Sequence, residues 1–255
     1  ALVLSGHFPS DLDPALVDSF MRRTDLVPRW CDLRQALIYP GGEGAYVFQP
    51  DYFPIDPVLH DLFVGADGPL FEHRMADGTF VFAVYRLEDS LLQARLSQGA
   101  PSVGWSHATV FPDGLPDDWA SLSWPVVFAE RVGLVGYEIL NGERFAPGDV
   151  VTVLTYWHVL QPGPAMGITF LHLLGPDGAV VAGYDGFGAP PNHWVAGDVL
   201  VQVHRFGLPG DLAPGRYPVE LGWYERDALA RWNVPTAGGG HAPADRVLLQ
   251  PLVVE

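Results

Sequence analysis

Histidine, carboxylate and aromatic side chains crowd two stretches of this sequence. The run VTVLTYWHVLQPG (151–163) carries Tyr156, Trp157 and His158 in succession, and ITFLHLLGPDGAVVAGYD (168–185) adds His172 and Asp185. Together with His193, His204, His241 and Asp198 they offer nitrogen and oxygen donors of the kind transition metals take. None of these five histidines lies two or four residues from another, so the set reads as hydrogen-bonded residues on separate strands. Calcium is the alternative ion, held by the acidic turns GPDGAVV and GYDGFG through carboxylates and carbonyls. The plainer reading of both is an Asp-Gly turn. No metal site and no cofactor is assigned.

Catalytic motifs are missing. The chain has no GxSxG elbow, no HExxH and no phosphate-cradling loop, and GGEG (41–44) lacks the Lys-Ser/Thr that a P-loop requires. A glycosidase needs two facing carboxylates, but among 30 acidic residues some pair will meet that spacing by chance. No catalytic residue is assigned. Sugar binding suits the composition better, because pyranose faces stack on indole and phenol rings while their hydroxyls bond to polar side chains. The candidates are Trp194 in the loop APPNHWVAGD, with Asn192 and His193 beside it, then Trp119 in LPDDWASLSW, then Tyr224. Two prolines stiffen the Trp194 loop and lower the entropy lost on binding. Each candidate also has a packing reading, and for Trp194 that reading is a plug over the end of the core. Trp157 and Trp223 fit a core face.

The elements that must carry these residues change character along the chain. Before Arg95, helix and strand signals alternate. ALVLSG is a buried strand. Asp13-Pro14 opens a helix bearing Leu16, Phe20 and Met21, and Asp56-Pro57 opens another. QALIYP and AYVFQP are strands, and FEHRMADGTFVFAVYRL is a hairpin turning at Asp77-Gly78. After Arg95, short strands follow with Gly/Pro-rich punctuation, and Tyr217, Val219, Leu221 and Trp223 alternate with Glu220, Gly222 and Tyr224. The expected fold is α+β overall: a small α/β domain over residues 1–97, then an antiparallel β-sandwich of jelly-roll or immunoglobulin-like type over 98–255.

Charge narrows the partners. The 255 residues carry a formal net charge of −16, and all 14 basic residues are arginine. A phosphate-binding surface needs clustered cations, so nucleic acid is not an expected partner. The one cysteine, Cys31, rules out a disulfide within the chain and a multi-cysteine zinc site. No stretch reaches the ~20 apolar residues that span a bilayer.

The second part resembles the C-terminal extracytoplasmic β-sandwich of bacterial, Chloroflexi-like membrane glycosyltransferases of the protein-mannosyltransferase type. The residues that carry the likeness are Gly136-Tyr137, Pro147-Gly148-Asp149, Tyr156-Trp157, Phe170-Leu171-His172-Leu173, Asp177-Gly178, Asp185, Trp194 with Gly197, Pro214-Gly215-Arg216-Tyr217 and Gly222-Trp223-Tyr224. RWCDLRQALIYP (29–40) is similar to the segment that precedes the sandwich in such enzymes, with Cys31 where Phe is usual. The resemblance implies a non-catalytic accessory region on the extracytoplasmic face of the membrane. Catalysis would then belong to an upstream transmembrane domain using a lipid-phosphate sugar donor, and the partner of this region would be carbohydrate or a glycosylation acceptor. The alternatives are a free-standing secreted carbohydrate-binding module and a soluble glycan hydrolase of unrecognised type.

Overall fold

A computed structural model describes residues 1–5, 28–41, 45–64, 68–98, 101–107, 115–142, 144–163 and 167–255. The helix expected after Asp13 and most of GGEG lie outside these residues. The described chain is mostly β and forms two compact units. Residues 1–98, 158–165 and 187–202 make the first; 99–157, 166–186 and 203–255 make the second. Among the described residues no helix is long and apolar enough to cross a membrane.

The first unit is built on β1 (Leu2–Ser5), β2 (Arg29–Cys31), β3 (Ala36–Tyr39), β4 (Ala45–Pro50), β5 (Phe71–Arg74) and β6 (Phe80–Leu87). Five of these form one sheet in the order β2-β1-β4-β6-β5, parallel across β2-β1-β4 and antiparallel beyond. β3 stays out of that sheet and pairs antiparallel with Val199–Gln202, which is why residues far along the chain join this unit. The Asp56 carboxylate accepts from the Val58 amide with Pro57 at the first helical position, as the sequence predicts, and that turn runs on through His60–Val64 as a π-helix. A further helix, Asp89–Leu96, was not expected. Inside the unit Arg29 donates to both oxygens of Asp198, at 2.7 and 3.1 Å, and Asp198 is fully buried. A carboxylate in such a place keeps its charge only with a cation and amides around it; here the Val195 amide, at 3.2 Å, adds to the arginine.

The second unit is a β-sandwich. Its strands are β7 (Gly104–Trp105), β8 (Ala120–Ser121), β9 (Val126–Phe128), β10 (Val132–Ile139), β11 (Arg144–Phe145), β12 (Val150–Val159), β13 (Gly167–Leu174), β14 (Val180–Gly186), β15 (Val199–Gly207), β16 (Gly215–Glu225) and β17 (Val247–Val254). One sheet has the order β15-β12-β10-β9, with β12 contributing residues up to 157 and β15 residues from 203. The other runs β14-β13-β16-β17-β7-β8, and β11 adds in parallel to β17. The sheets meet where Trp157 of β12 packs edge-on against Trp223 of β16, centroids 5.3 Å apart, with Phe128 edge-on to Trp157 at 5.5 Å and Trp232 stacked on Trp223 at 4.9 Å. Both Trp157 and Trp223 are fully buried. Burying one indole removes about 200 Å² from water and stabilises the fold by roughly 5 kcal/mol before the ordering cost.

Strand alternation is as read, but its consequence differs. The sequence puts Trp157 on a core face. Tyr156 and Trp157 are both buried, and so are both faces of β16. The reason is local: the segment after β16 runs back beside the end of the strand, the Trp232 amide donating to the Trp223 carbonyl, and brings Arg231, the Asp245 carbonyl and Arg246 over the outer face, so Glu220 and Gly222 are covered although they point away from the sandwich core.

Candidate functional site

That covered outer face is where side-chain chemistry converges. Strand register builds it. Opposite Phe170 of β13 stand Gly222 of β16 and Asp185 of β14; opposite His172 stand Glu220 and Gly183. A Cβ at Gly222 would sit 2.4 Å from the Phe170 ring, and one at Gly183 would sit 2.7 Å from His172 Cδ2. Each large ring therefore lies over a neighbour that has no side chain. The two rings stack on each other, centroids 5.1 Å apart. Arg231, from the covering segment, lays its guanidinium over Phe170 at 4.5 Å and donates to the Ala244 carbonyl, which ties the two ends of that segment together.

Both imidazole nitrogens of His172 are engaged. Nε2 lies 2.7 Å from Asp185 Oδ1 and Nδ1 lies 3.0 Å from Glu220 Oε1. Arg246 donates to the second oxygen of Glu220, and the Tyr224 hydroxyl donates to the second oxygen of Asp185 at 3.3 Å. Charges alternate along the chain Asp185, His172, Glu220, Arg246. Burial by itself would lower the His172 pKa, but the hydrogen bonds the ring donates to Glu220 and Asp185, with their charges, outweigh it and raise the pKa above its ordinary value. Burial would likewise raise Glu220, yet its bonds to His172 and Arg246 win and keep its pKa low. The Tyr224 phenol is pushed up by burial and by the Asp185 charge.

Accessibility is graded along the chain. The Glu220 side chain is 3% exposed and that of His172 17%, whereas Asp185 is 45% exposed. Beside Asp185 opens a shallow groove of about 270 Å³, lined by His172 and by residues 180–185 of the edge strand β14. The arrangement can present a fixed carboxylate and a phenol to a ligand with hydroxyl groups. It cannot serve as a general acid and base pair, because Glu220 is buried, doubly bonded and held ionised, while the acid of a glycosidase needs a raised pKa. Nor can His172 ligate a metal while both its nitrogens donate to carboxylates. Among the described residues no group of three or more His, Cys, Asp or Glu side chains is placed to hold a metal ion. At the two acidic turns, the Asp177 carboxylate accepts from the Ala179 amide in a plain turn, and Asp185 is occupied as above. Asp185, read from the sequence as part of an Asp-Gly turn, lies within β14 and bonds to side chains.

The residues singled out from the sequence fall in different places. Trp194, Asn192 and His193 sit in the first unit, on and just after a 3-10 turn. Trp194 is 3% exposed, its indole N–H donates to the Ala189 carbonyl at 2.8 Å, and its ring meets Phe187 edge-on. Trp194 is thus buried within the first unit, against Ala189 and Phe187, and with no free face it cannot be the surface platform read from the loop. Asn192 is exposed and His193 half-buried. Trp119 is half-buried and covers Gly104, where a Cβ would lie 2.6 Å from its ring; its indole N–H donates to Ser121 Oγ. Only Tyr224 joins the cluster described here. His172, Asp185, Glu220, Arg246 and Arg231 were missed as site residues. His204 is fully buried against Thr155 Oγ1, and burial drives its pKa down to about 3, so it stays neutral.

No protein-family model matches the chain. No curated protein matches it. Among solved structures it is similar to one described as the C-terminal domain of wzt, with 16% sequence identity, 51% of this chain and 76% of that chain covered, and a TM-score of 0.36. A likeness at that level leaves function to the geometry of the site.

Proposed function

We propose that the second unit is a non-catalytic module that recognises carbohydrate at the Asp185 groove, and that the chain serves as an accessory region of a membrane-bound glycosyltransferase on the extracytoplasmic side. One observation carries the first part. An exposed carboxylate is held in a single orientation by a protonated, mostly buried imidazole, which is itself balanced by a buried glutamate. Such a carboxylate accepts two adjacent sugar hydroxyls without first being ordered, and charge-assisted hydrogen bonds of this kind are about twice as strong as neutral ones. Phe170 is not available for stacking, being 1% exposed under Arg231, so the module reads hydroxyl geometry more than ring faces. The second part is supported by the sequence resemblance. A free-standing secreted module would carry the same site; apolar spans of ~20 residues encoded upstream of Ala1 would favour the accessory region.

The test is binding of the purified chain to a panel of neutral oligosaccharides, with Asp185→Ala and Tyr224→Phe alongside. Loss of a charged acceptor should weaken binding by about tenfold or more, and loss of the phenol hydroxyl by less. Binding that survives Asp185→Ala unchanged, or no binding to any glycan, would count against the reading.

A further inference from the structure

We propose that the chain forms a two-fold symmetric dimer through the free edge of β5, joining the five-stranded sheets of two copies into one. The proposal concerns the first unit and is independent of the glycan groove.

Among the described residues β5 ends its sheet, and all four of its residues are exposed. Its flanks are exposed and apolar: Leu70 is 62%, Phe71 54% and Met75 57% accessible. Native edges are usually blunted by charged side chains, lysine above all, by proline or by a bulge in the edge strand. β5 has no lysine or proline, its charges Glu72 and Arg74 pair with each other, and the one irregularity in its pairing falls on β6, where Val81 is extra between the partners of His73 and Arg74. What remains is a regular strand edge of balanced charge beside a row of aromatic rings, with Phe71 and His73 against Phe82 at 5.7 and 5.5 Å, and Phe48 behind Phe82 at 4.8 Å.

The sequence of the edge complements itself. Placing two copies of Phe71-Glu72-His73-Arg74-Met75 antiparallel about His73 sets Glu72 opposite Arg74 of the second copy, twice, and Phe71 opposite Met75, twice. Glu72 and Arg74 already share one face, as their ion pair shows. Pairing would make that face a four-charge ring and the other a strip in which Phe71–Met75 pairs flank a central pair of His73 rings. Directly opposed opposite charges and apolar pairs are what stabilise adjacent strands. A parallel pairing in register would set like charges opposite each other. The partner that fits this edge is therefore a second copy of the same chain. A contact of about six residues a side buries less than the roughly 1,200 Å² of a stable interface, so a weak dimer is expected, with Kd in the micromolar range or above.

Sedimentation equilibrium of the chain over about 1 to 500 μM is the direct measurement. The proposal expects a monomer–dimer equilibrium within that range; a monomer throughout overturns it. Charge variants then test the register. Glu72→Arg alone and Arg74→Glu alone each set like charges opposite and should raise Kd by about tenfold or more. Mixing these two variants restores opposite charges at both positions and should recover the dimer, which a purely intrachain role for the pair would not do. Failure of the mixture to associate, with both variants folded by circular dichroism, overturns the proposal. His73→Cys should crosslink on mild oxidation, since Cα atoms opposed across antiparallel strands lie at about 4.5–5.5 Å, within disulfide reach. Asp77→Cys in the hairpin turn should not, and Cys31 is fully buried and does not compete. Equal crosslinking at both positions overturns the register.

Discussion

Replacing Glu220 by Gln tests whether the four-residue charge chain is a working unit. The amide has the shape of the carboxylate, but one of its two polar atoms is now a donor. In the folded protein those two positions face two donors, His172 Nδ1 and Arg246 Nη1. One of them must lose its acceptor. A hydrogen bond to a charged group is worth about 1.5–3 kcal/mol, and stranding a fully buried charge costs about 3–5. His172 and Arg246 keep 17% and 16% of their side-chain surface in water, so part of that cost is recovered by hydration. The expected loss is about 2–3 kcal/mol near pH 5.5. The sign of its pH dependence follows from linkage. A histidine whose folded pKa is raised adds stability that is complete below its unfolded value, near 6.5, and is lost as pH rises through the folded value. Without the Glu220 charge that rise shrinks, so the gap between wild type and variant should narrow at pH 8, though the Arg246 contact keeps it above zero. Urea unfolding at the two pH values, with the His172 titration followed by NMR, reads both quantities. A loss under 0.5 kcal/mol at pH 5.5, or an unmoved His172 titration, would refute the reasoning.

Three further outcomes are expected. The wild-type contribution of this network should be greatest between the titrations of its two central groups: Glu220, with a lowered folded pKa, loses its share as pH falls through that value, and His172 loses its share as pH rises through its own, so stability measured from pH 3 to 9 should fall on both sides. Trp194→Ala should cost about 3–5 kcal/mol in denaturant unfolding, because it empties a buried indole site and leaves the Ala189 carbonyl without its donor, while any glycan affinity of the second unit should stay unchanged. Gly183→Val should displace His172, since even a Cβ there lies 2.7 Å from the ring; the NMR signature of the doubly bonded imidazole should vanish while the far-ultraviolet circular dichroism stays that of the sandwich.

Much of the fold was legible because its signals are local. Asp56-Pro57 opens a helical turn, Asp77-Gly78 turns a hairpin, and the alternation in 217–224 does mark two faces of a strand. The site was less legible because it depends on register between distant strands. His172 and Asp185 were visible as polar residues on β strands, but the sequence does not say which side chain stands opposite which. The hairpin through Pro176-Asp177-Gly178 comes nearest to giving it. Counting back from that turn fails at the bulge between Leu173 and Leu174, which shifts the pairing. Glu220 lies 48 residues from His172 and no local pattern links them. A usable signal did exist: Phe170 and His172 share one face of β13 while Leu171 and Leu173 take the other, so that face needed polar partners. Trp194 misled for a different reason. A proline-rich loop with an indole looks alike whether the ring faces water or the core.

The central claim is that the groove beside Asp185 is where carbohydrate binds. Amide chemical-shift mapping of the isotope-labelled chain, titrated with each member of a neutral oligosaccharide panel, tests it most directly. The account predicts saturable shifts confined to His172, residues 180–185 and Tyr224, with no turnover of the glycan and with the shifts abolished by Asp185→Ala. Shifts centred on other residues, or none with any glycan at millimolar concentration, would contradict it.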